Sequence, residues 1–249
     1  MITLLTDFGT ADGYVGEVKG VLASRAAGVP IVDIAHDVTP QDVEAARLAL
    51  ARYWRRFPEG TVHLVVVDPG VGSARAAMAV ASAGRLLVGP DNGVLSPALL
   101  LPGARAVRLP VPDAAAPTFH GRDVFAPAAA LLARGADLES LGDPHVEPVL
   151  RRTPEPRRLD DGALEGEIIT VDRFGNGVTN LMAPRGGSCS VGGRVLGEVR
   201  RTYGDAPPGV AIALTGSSGL LEIAIRDGSA AAVLGLRRGD RVVLRPPRA

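Results

Sequence analysis

Short apolar runs that stop at aspartate- or glycine-rich turns alternate along the first half of the chain with stretches of helical periodicity. Residues 1–5 form such a run, ending at Thr6-Asp7-Phe8-Gly9, and residues 14–26 follow with helical spacing. Residues 31–34 predict a second strand. Thr39-Pro40 predicts a helix start, with proline in the first turn, acidic residues behind it, and an apolar side of Val43, Ala46, Leu50, Tyr53 or Trp54, and Phe57. Residues 61–67 read as a buried strand that stops at Asp68-Pro69-Gly70-Val71-Gly72. Residues 77–81 and 85–88 read as strands around an Ala83-Gly84 turn, and residues 93–101 and 123–134 as helices. Strands alternating with helices predict an α/β domain with a mostly parallel sheet covered on its faces.

The pattern then changes. Residues 148–162, PVLRRTPEPRRLDDG, are rich in proline, arginine and aspartate and read as a linker. Its core over 151–162 separates an expected N-terminal α/β domain (1–150) from a C-terminal domain (163–249). Beyond it, GEIITVDRFGNGVTN, GVAIALT, LLEIAIR and DRVVLRP are short strands between glycine-rich turns, with one brief helix expected over 229–236. A small all-β barrel-like domain or sandwich is the natural reading.

Composition narrows the function. With 249 residues, 46% of them hydrophobic, the chain can bury two cores. Its formal net charge is zero, so it carries no electrostatic footprint for nucleic acid or an anionic membrane. Cys189 is the single cysteine, which excludes an internal disulfide and a cysteine-built zinc site. No basic leader and no uncharged apolar stretch of membrane-spanning length is present, so a cytoplasmic protein is expected.

Asp7, Asp37 and Asp68 fall just after predicted strands, where an α/β sheet gathers its ligands. Helix capping and turn formation explain such positions equally well. The glycines in TDFGTADGYVG and VDPGVG let backbone approach a ligand, yet neither segment matches a phosphate loop or a dinucleotide fingerprint. An acidic loop suits hydroxyls or positive charge, as when a carboxylate accepts two vicinal ribose hydroxyls. Asp68 and Arg75 flank one glycine turn and can pair, as catalytic partners or as a plain salt bridge. Among the histidines, His120 in PTFHGRD has the most site-like setting; His63 lies inside a strand, and His36 and His145 read as structural. Asp172 and Asn176 flank an aromatic and a glycine, and the asparagine amide matches a purine edge. Ser217, Ser218 and Glu222 sit at a turn entering a strand. Ordinary β-turns account for both of these segments too.

Seven segments in order, TDFGTADGYVG, DVTPQDVEAA, VDPGVGSAR, VGPDNGVLSP, TFHGRD, VDRFGNGVTN and GSSGLLEIA, span nearly the whole chain. Together they resemble the S-adenosylmethionine hydroxide adenosyltransferase family, the hydrolytic relatives of the S-adenosylmethionine-dependent fluorinase and chlorinase. The resemblance implies an α/β domain followed by a β-barrel-like domain, and a homotrimer with sites between subunits. It also implies hydrolysis of S-adenosyl-L-methionine to adenosine and methionine, with no cofactor beyond the substrate. Carried over by motif, Asp7 accepts the ribose hydroxyls, Asp12 and Asp172 lie near the amino-acid end, and Asn176 pairs with the adenine edge. Tyr203 stacks on adenine, Ser217 binds near the methionine carboxylate, and Glu222 and the backbone at Ala224 are further contacts. Asp68, Arg75 and His120 match the set that distinguishes hydrolytic members.

Three departures from the halogenases fit hydrolysis. Asp68 stands where they carry tyrosine and would repel a halide. Gly121 replaces the fluorinase serine that binds fluoride, and the fluorinase's extra loop is a tight turn here. Gln41 replaces an aromatic of the fluorinase site. A halogenase and a non-catalytic adenosine or S-adenosylmethionine binder are the alternatives, and the residue that takes the proton from water, Asp68 or His120, stays open.

Overall fold

The computed structural model describes residues 1–182 and 186–247. They form two compact units, 1–152 and 153–249. The first holds β1 (Ile2–Thr6), α1 (Tyr14–Arg25), β2 (Ile31–Ala35), α2 (Val43–Tyr53), β3 (Val62–Val66), β4 (Ala77–Ser82), β5 (Arg85–Pro90), α3 (Ser96–Leu99), β6 (Arg105–Leu109), α4 (Ala126–Ala133) and β7 (Asp143–Pro144). The strands make one seven-stranded sheet in the order β2-β1-β3-β5-β4-β6-β7.

The expected mostly parallel sheet is corrected to a mixed one. The β1–β2, β1–β3 and β3–β5 pairs are parallel, whereas β4–β5, β4–β6 and β6–β7 are antiparallel. For β4–β5 the cause is local: Ala83 and Gly84 both take positive φ, 46° and 71°, so two residues turn β4 straight into β5 without a crossover helix, and β6 and β7 then extend the antiparallel edge. Two other boundaries move. Gln41 sits at φ 67° and Asp42 caps the helix by accepting from the Ala45 N–H, so α2 begins at Val43 and not at Thr39-Pro40. Of the helix expected over 93–101, only Ser96–Leu99 is helical.

The sheet is buried on both faces. Val15, Val18 and Leu22 of α1 join Phe125, Ala129 and Leu132 against one side; Val43, Ala46 and Leu50 of α2, with Trp54, Leu95 and Ala98, cover the other. That is why β1 and β3 read as largely apolar runs. His63 is the polar exception inside β3. It is fully buried, hydrogen-bonded through Nδ1 to Thr3 Oγ1 at 2.7 Å and ringed edge-on by Tyr53, Trp54 and Phe57. Burial, then the Arg85 charge, pushes its pKa down to about 4. The unfolded chain takes up that proton near 6.5 and the folded chain only near 4. Stability is therefore complete above pH 6.5 and falls by ~3 kcal/mol as the pH drops to 4. Urea unfolding across this range is expected to show the loss in the wild type and to lack this part of it in His63→Phe.

The second unit contains β8 (Arg157–Arg158), β9 (Leu164–Val171), β10 (Gly177–Met182), β11 (Ser188–Val191), β12 (Arg194–Glu198), β13 (Ala211–Thr215), β14 (Leu220–Ile225), α5 (Ala230–Leu234) and β15 (Arg241–Arg245). Their order is β12-β11-β15-β9-β10-β14-β13, every neighbouring pair antiparallel, with β8 beside β9. The chain beyond β12 bridges back to β13 at Arg200 and Leu214, so the sheet nearly closes into a barrel. Ile168, Leu181, Cys189, Leu221, Ile223 and Val242 fill it. Cys189 is a buried core thiol. α5 falls within the brief helix expected over 229–236, with Ser229 and Gly235 as its caps.

Candidate active site

Because β2, β1 and β3 are adjacent and parallel, the turns carrying Asp37, Asp7 and Asp68 leave the same edge of the sheet. Asp68 follows β3, and the glycine turn behind it returns Arg75 to its side. The two make a forked ion pair, Arg75 Nε donating to Asp68 Oδ1 at 3.1 Å and Nη2 to Oδ2 at 2.5 Å. Arg75 Nη1 donates to the Ala76 carbonyl at 2.9 Å, and its guanidinium lies 5.4 Å from the Phe125 ring centroid. Gly72 permits the return. Its φ is 77°, and a Cβ there would stand 2.7 Å from the Pro117 carbonyl oxygen of the His120 loop.

His120 arrives from that loop. It lies not in open loop but in αR conformation at the head of a helical turn, Gly121–Phe125, whose backbone closes from Ala126 N–H to the Gly121 carbonyl in a π-type register before α4. Its Nδ1 is 3.2 Å from Arg75 Nη2. Asp68 and His120, fifty-two residues apart, are thus joined through Arg75, with side chains 6% and 8% exposed for Asp68 and Arg75 and His120 5% exposed.

This contact fixes the proton on the imidazole. A guanidinium only donates, so Nδ1 must accept, and the neutral ring carries its hydrogen on Nε2. Burial first, and the Arg75 charge second, hold His120 below its ordinary pKa, so this neutral form prevails at neutral pH. Burial raises the Asp68 pKa against the lowering influence of Arg75. The cluster presents a donor, Nε2–H, beside a carboxylate made more basic by its surroundings.

Asp7 follows β1 and accepts the Gln41 N–H through Oδ2 at 2.7 Å, so the two loops are tied and Gln41 contributes backbone here. Its neighbour Phe8 packs on the His120 loop: a Cβ on Gly121 would be 3.2 Å from the Phe8 ring. Asp12 is exposed at the entry to α1. His36 and His145 are structural, bonded to Thr6 at 2.9 Å and Asp91 at 2.8 Å.

The second unit brings its candidates together in two pairs. Asp172 Oδ1 accepts the backbone N–H of Phe174 and Asn176, at 2.9 and 2.8 Å, and Oδ2 accepts Asn176 Nδ2 at 3.0 Å. Asp172 therefore orients the Asn176 amide. Tyr203 donates its hydroxyl to buried Glu222 at 3.0 Å. Burial, then the Glu222 hydrogen bond and the charges of Glu222 and Asp172, push the phenol up to about 12. Ser217 is exposed in the β13–β14 turn, and Ala224 is fully buried in β14 opposite Ile212. Phe174 is a residue that the sequence reading passed over. It is 77% exposed at the tip of the Asp172–Asn176 turn, and a glycine-flanked aromatic there was the available signal.

Among the described residues no group of three or more histidine, cysteine or acidic side chains could hold a metal ion, and no helix is long and apolar enough to cross a membrane.

A mixed α/β unit with a buried Asp-Arg-His cluster is followed by a nearly closed β-barrel unit with an oriented amide and a held tyrosine. The N-terminal domain of S-adenosylmethionine hydroxide adenosyltransferases matches residues 2–142 and the C-terminal domain matches residues 166–243, so the chain belongs to that family. An (R)-S-adenosyl-L-methionine hydrolase of Thermus thermophilus is 51% identical over 98% of both chains. A fluorinase of Actinoplanes is more distant, 30% identical over 73% of this chain and 71% of its own. The crystal structure of a conserved protein from Thermotoga maritima superposes with a TM-score of 0.90 at 33% identity, covering 98% of this chain and all of that one.

Proposed function

We propose that the chain hydrolyses S-adenosyl-L-methionine to adenosine and L-methionine by attack of water at ribose C5′. The observation that carries this reading is the contact of Asp68, Arg75 and His120, with His120 forced into its Nε2–H form. The leaving group is a neutral thioether, so no general acid is needed and the nucleophile is the difficulty. Bulk water has a pKa of about 15.7. His120 donates Nε2–H to the attacking oxygen and stabilises the charge growing there. Asp68 takes the proton, since a ring that accepts from Arg75 at Nδ1 and donates at Nε2 has no free lone pair. Arg75 holds both partners and keeps Asp68 ionised. Oxygen bonds to C5′, the C5′–S pair leaves on sulfur, and the proton passes through Asp68 to solvent. Opposite charges disperse as hydroxide meets sulfonium, so a dry pocket favours the transition state.

Substrate is held by Asp7 at the ribose hydroxyls, Asp12 and Asp172 toward the amino-acid end, Asn176 at the adenine edge, Tyr203 on the adenine face and Ser217 near the methionine carboxylate. Phe174 joins Tyr203 as a second exposed aromatic. Glu222 acts by holding the Tyr203 hydroxyl, and Ala224, buried in its strand, shapes the wall behind. We further propose a cytoplasmic homotrimer in which the water-activating groups of one subunit's residues 1–152 meet the adenine-reading groups of a neighbour's residues 153–249.

Incubation with S-adenosylmethionine, with and without high chloride, tests the reading. Adenosine and methionine are expected in both. A 5′-chloro-nucleoside would establish the halogenase, and binding without turnover over hours a sensor.

A further inference from the structure

His120 makes one side-chain hydrogen bond among the described residues, to Arg75, and its ring stands edge-on to Phe125 at 6.5 Å. The loop that carries it has further anchors. The next side chain along, Arg122, is braced on four sides. Its Nε and Nη2 fork onto Asp123 Oδ1 and Oδ2 at 2.7 and 2.9 Å, and Nη1 reaches Glu17 Oε2 on α1 at 2.8 Å. Its guanidinium lies 4.9 Å from the Phe119 ring centroid. Asp123 in turn accepts the Ala116 N–H at 2.9 Å, which pins the start of the loop. Phe119 stands edge-on to Tyr14 at 5.4 Å and to Phe8 at 5.8 Å, and those two meet at 6.2 Å. The residues on both sides of His120 are therefore clamped to α1 and to the loop of Asp7.

We propose that Arg122 is a positioning residue: through Asp123, Glu17 and Phe119 it holds the His120 imidazole in register with Arg75. The inference rests on the reading of Asp68, Arg75 and His120 as the water-activating set. Ion pairs this close to the surface add little stability singly. Their value lies in geometry, because a catalytic group displaced by about an ångström costs on the order of a hundredfold in rate. Asp7 has its own anchor in the Gln41 N–H, so loss of the clamp acts on turnover more than on substrate binding.

The test pairs kinetics with nitrogen-15 NMR of the imidazoles, the His120 signals being assigned by their absence in His120→Gln. In the wild type, His120 is expected as one fixed Nε2–H tautomer. In Arg122→Ala its two ring nitrogens should move toward averaged shifts, with kcat down roughly 10- to 100-fold and KM within about threefold. Arg122→Lys, which can keep one ion pair but not the fork, should fall between. Phe119→Leu removes the stacking face while leaving the ion pairs and should shift the tautomer in the same direction, which covers the case of an Arg122→Ala protein that does not fold. An unchanged His120 tautomer in the folded variants overturns the proposal, whatever their activity. A wild type inert toward S-adenosylmethionine would sink the functional reading and leave the tautomer measurement to decide this one.

Discussion

Asp68→Asn is expected to lower kcat by ~10²–10⁴ while adenosine binds within a few-fold of wild-type affinity. The amide preserves the size of the side chain and one oxygen for Arg75, but it cannot take a proton from water. It also leaves the Arg75 guanidinium without its counter-charge in a site where both side chains are nearly buried. Removing one partner of such a pair costs ~3–5 kcal/mol, so a fall in melting temperature is part of the expectation. Kinetics must therefore be read well below the new transition, with calorimetric adenosine binding as the check that the site is formed. If Asp68 merely closes a structural salt bridge, Asp68→Asn loses stability and keeps its turnover per folded molecule.

His120→Ala should fall by a similar ~10²–10⁴, and His120→Gln separates the two roles an imidazole could play. Glutamine offers an N–H donor and an oxygen acceptor but no basic nitrogen. If His120 works as a donor to the nascent hydroxide, His120→Gln retains more activity than His120→Ala; if it is the base, both are equally inactive. The pH profile gives an independent reading. Protonation puts a hydrogen on Nδ1, which then faces the Arg75 guanidinium as donor against donor. Activity is fully present while His120 is neutral and is lost as the pH falls through its folded pKa. Burial and Arg75 hold that pKa below the ordinary 6.5, so the acid limb attributable to His120 lies below 6.5 and disappears in His120→Gln.

The parts of this molecule that could be read in advance are those with local causes. The β1 and β3 runs are apolar because helices cover both sheet faces, and α5 carries its caps in its own letters. The β4–β5 hairpin was legible in its Ala83-Gly84 turn; the parallel character of the sheet was overestimated because the further antiparallel pairs, β4–β6 and β6–β7, involve strands with no clear apolar alternation. The strands β6, β11 and β12 escaped notice: Arg105 and Arg108 interrupt the apolar alternation of β6, and glycine and serine dilute it in β11 and β12.

The candidate site divides in the same way. Asp68 and Arg75 flank one turn, so their pairing was visible at a spacing of seven residues. The contact of His120 with Arg75 spans forty-five residues and depends on a π-type turn that no short-range pattern announces. The tautomer from which we propose Asp68 as the proton acceptor follows from that contact alone. Tyr203 and Glu222 came from motif resemblance, and only the folded barrel reveals that one holds the other. Arg122 carried no signal apart from its neighbours, since an arginine beside an aspartate is common, whereas Phe174 was visible as the aromatic between Asp172 and Asn176.

The central claim is that solvent oxygen, activated beside Asp68 and His120, attacks the ribose carbon. The incubation with S-adenosylmethionine run in water enriched in heavy oxygen, followed by mass spectrometry of both products, tests it most directly. One labelled oxygen is expected at the adenosine 5′ hydroxyl and none in methionine. Label in methionine, or adenosine formed without it, would contradict the account.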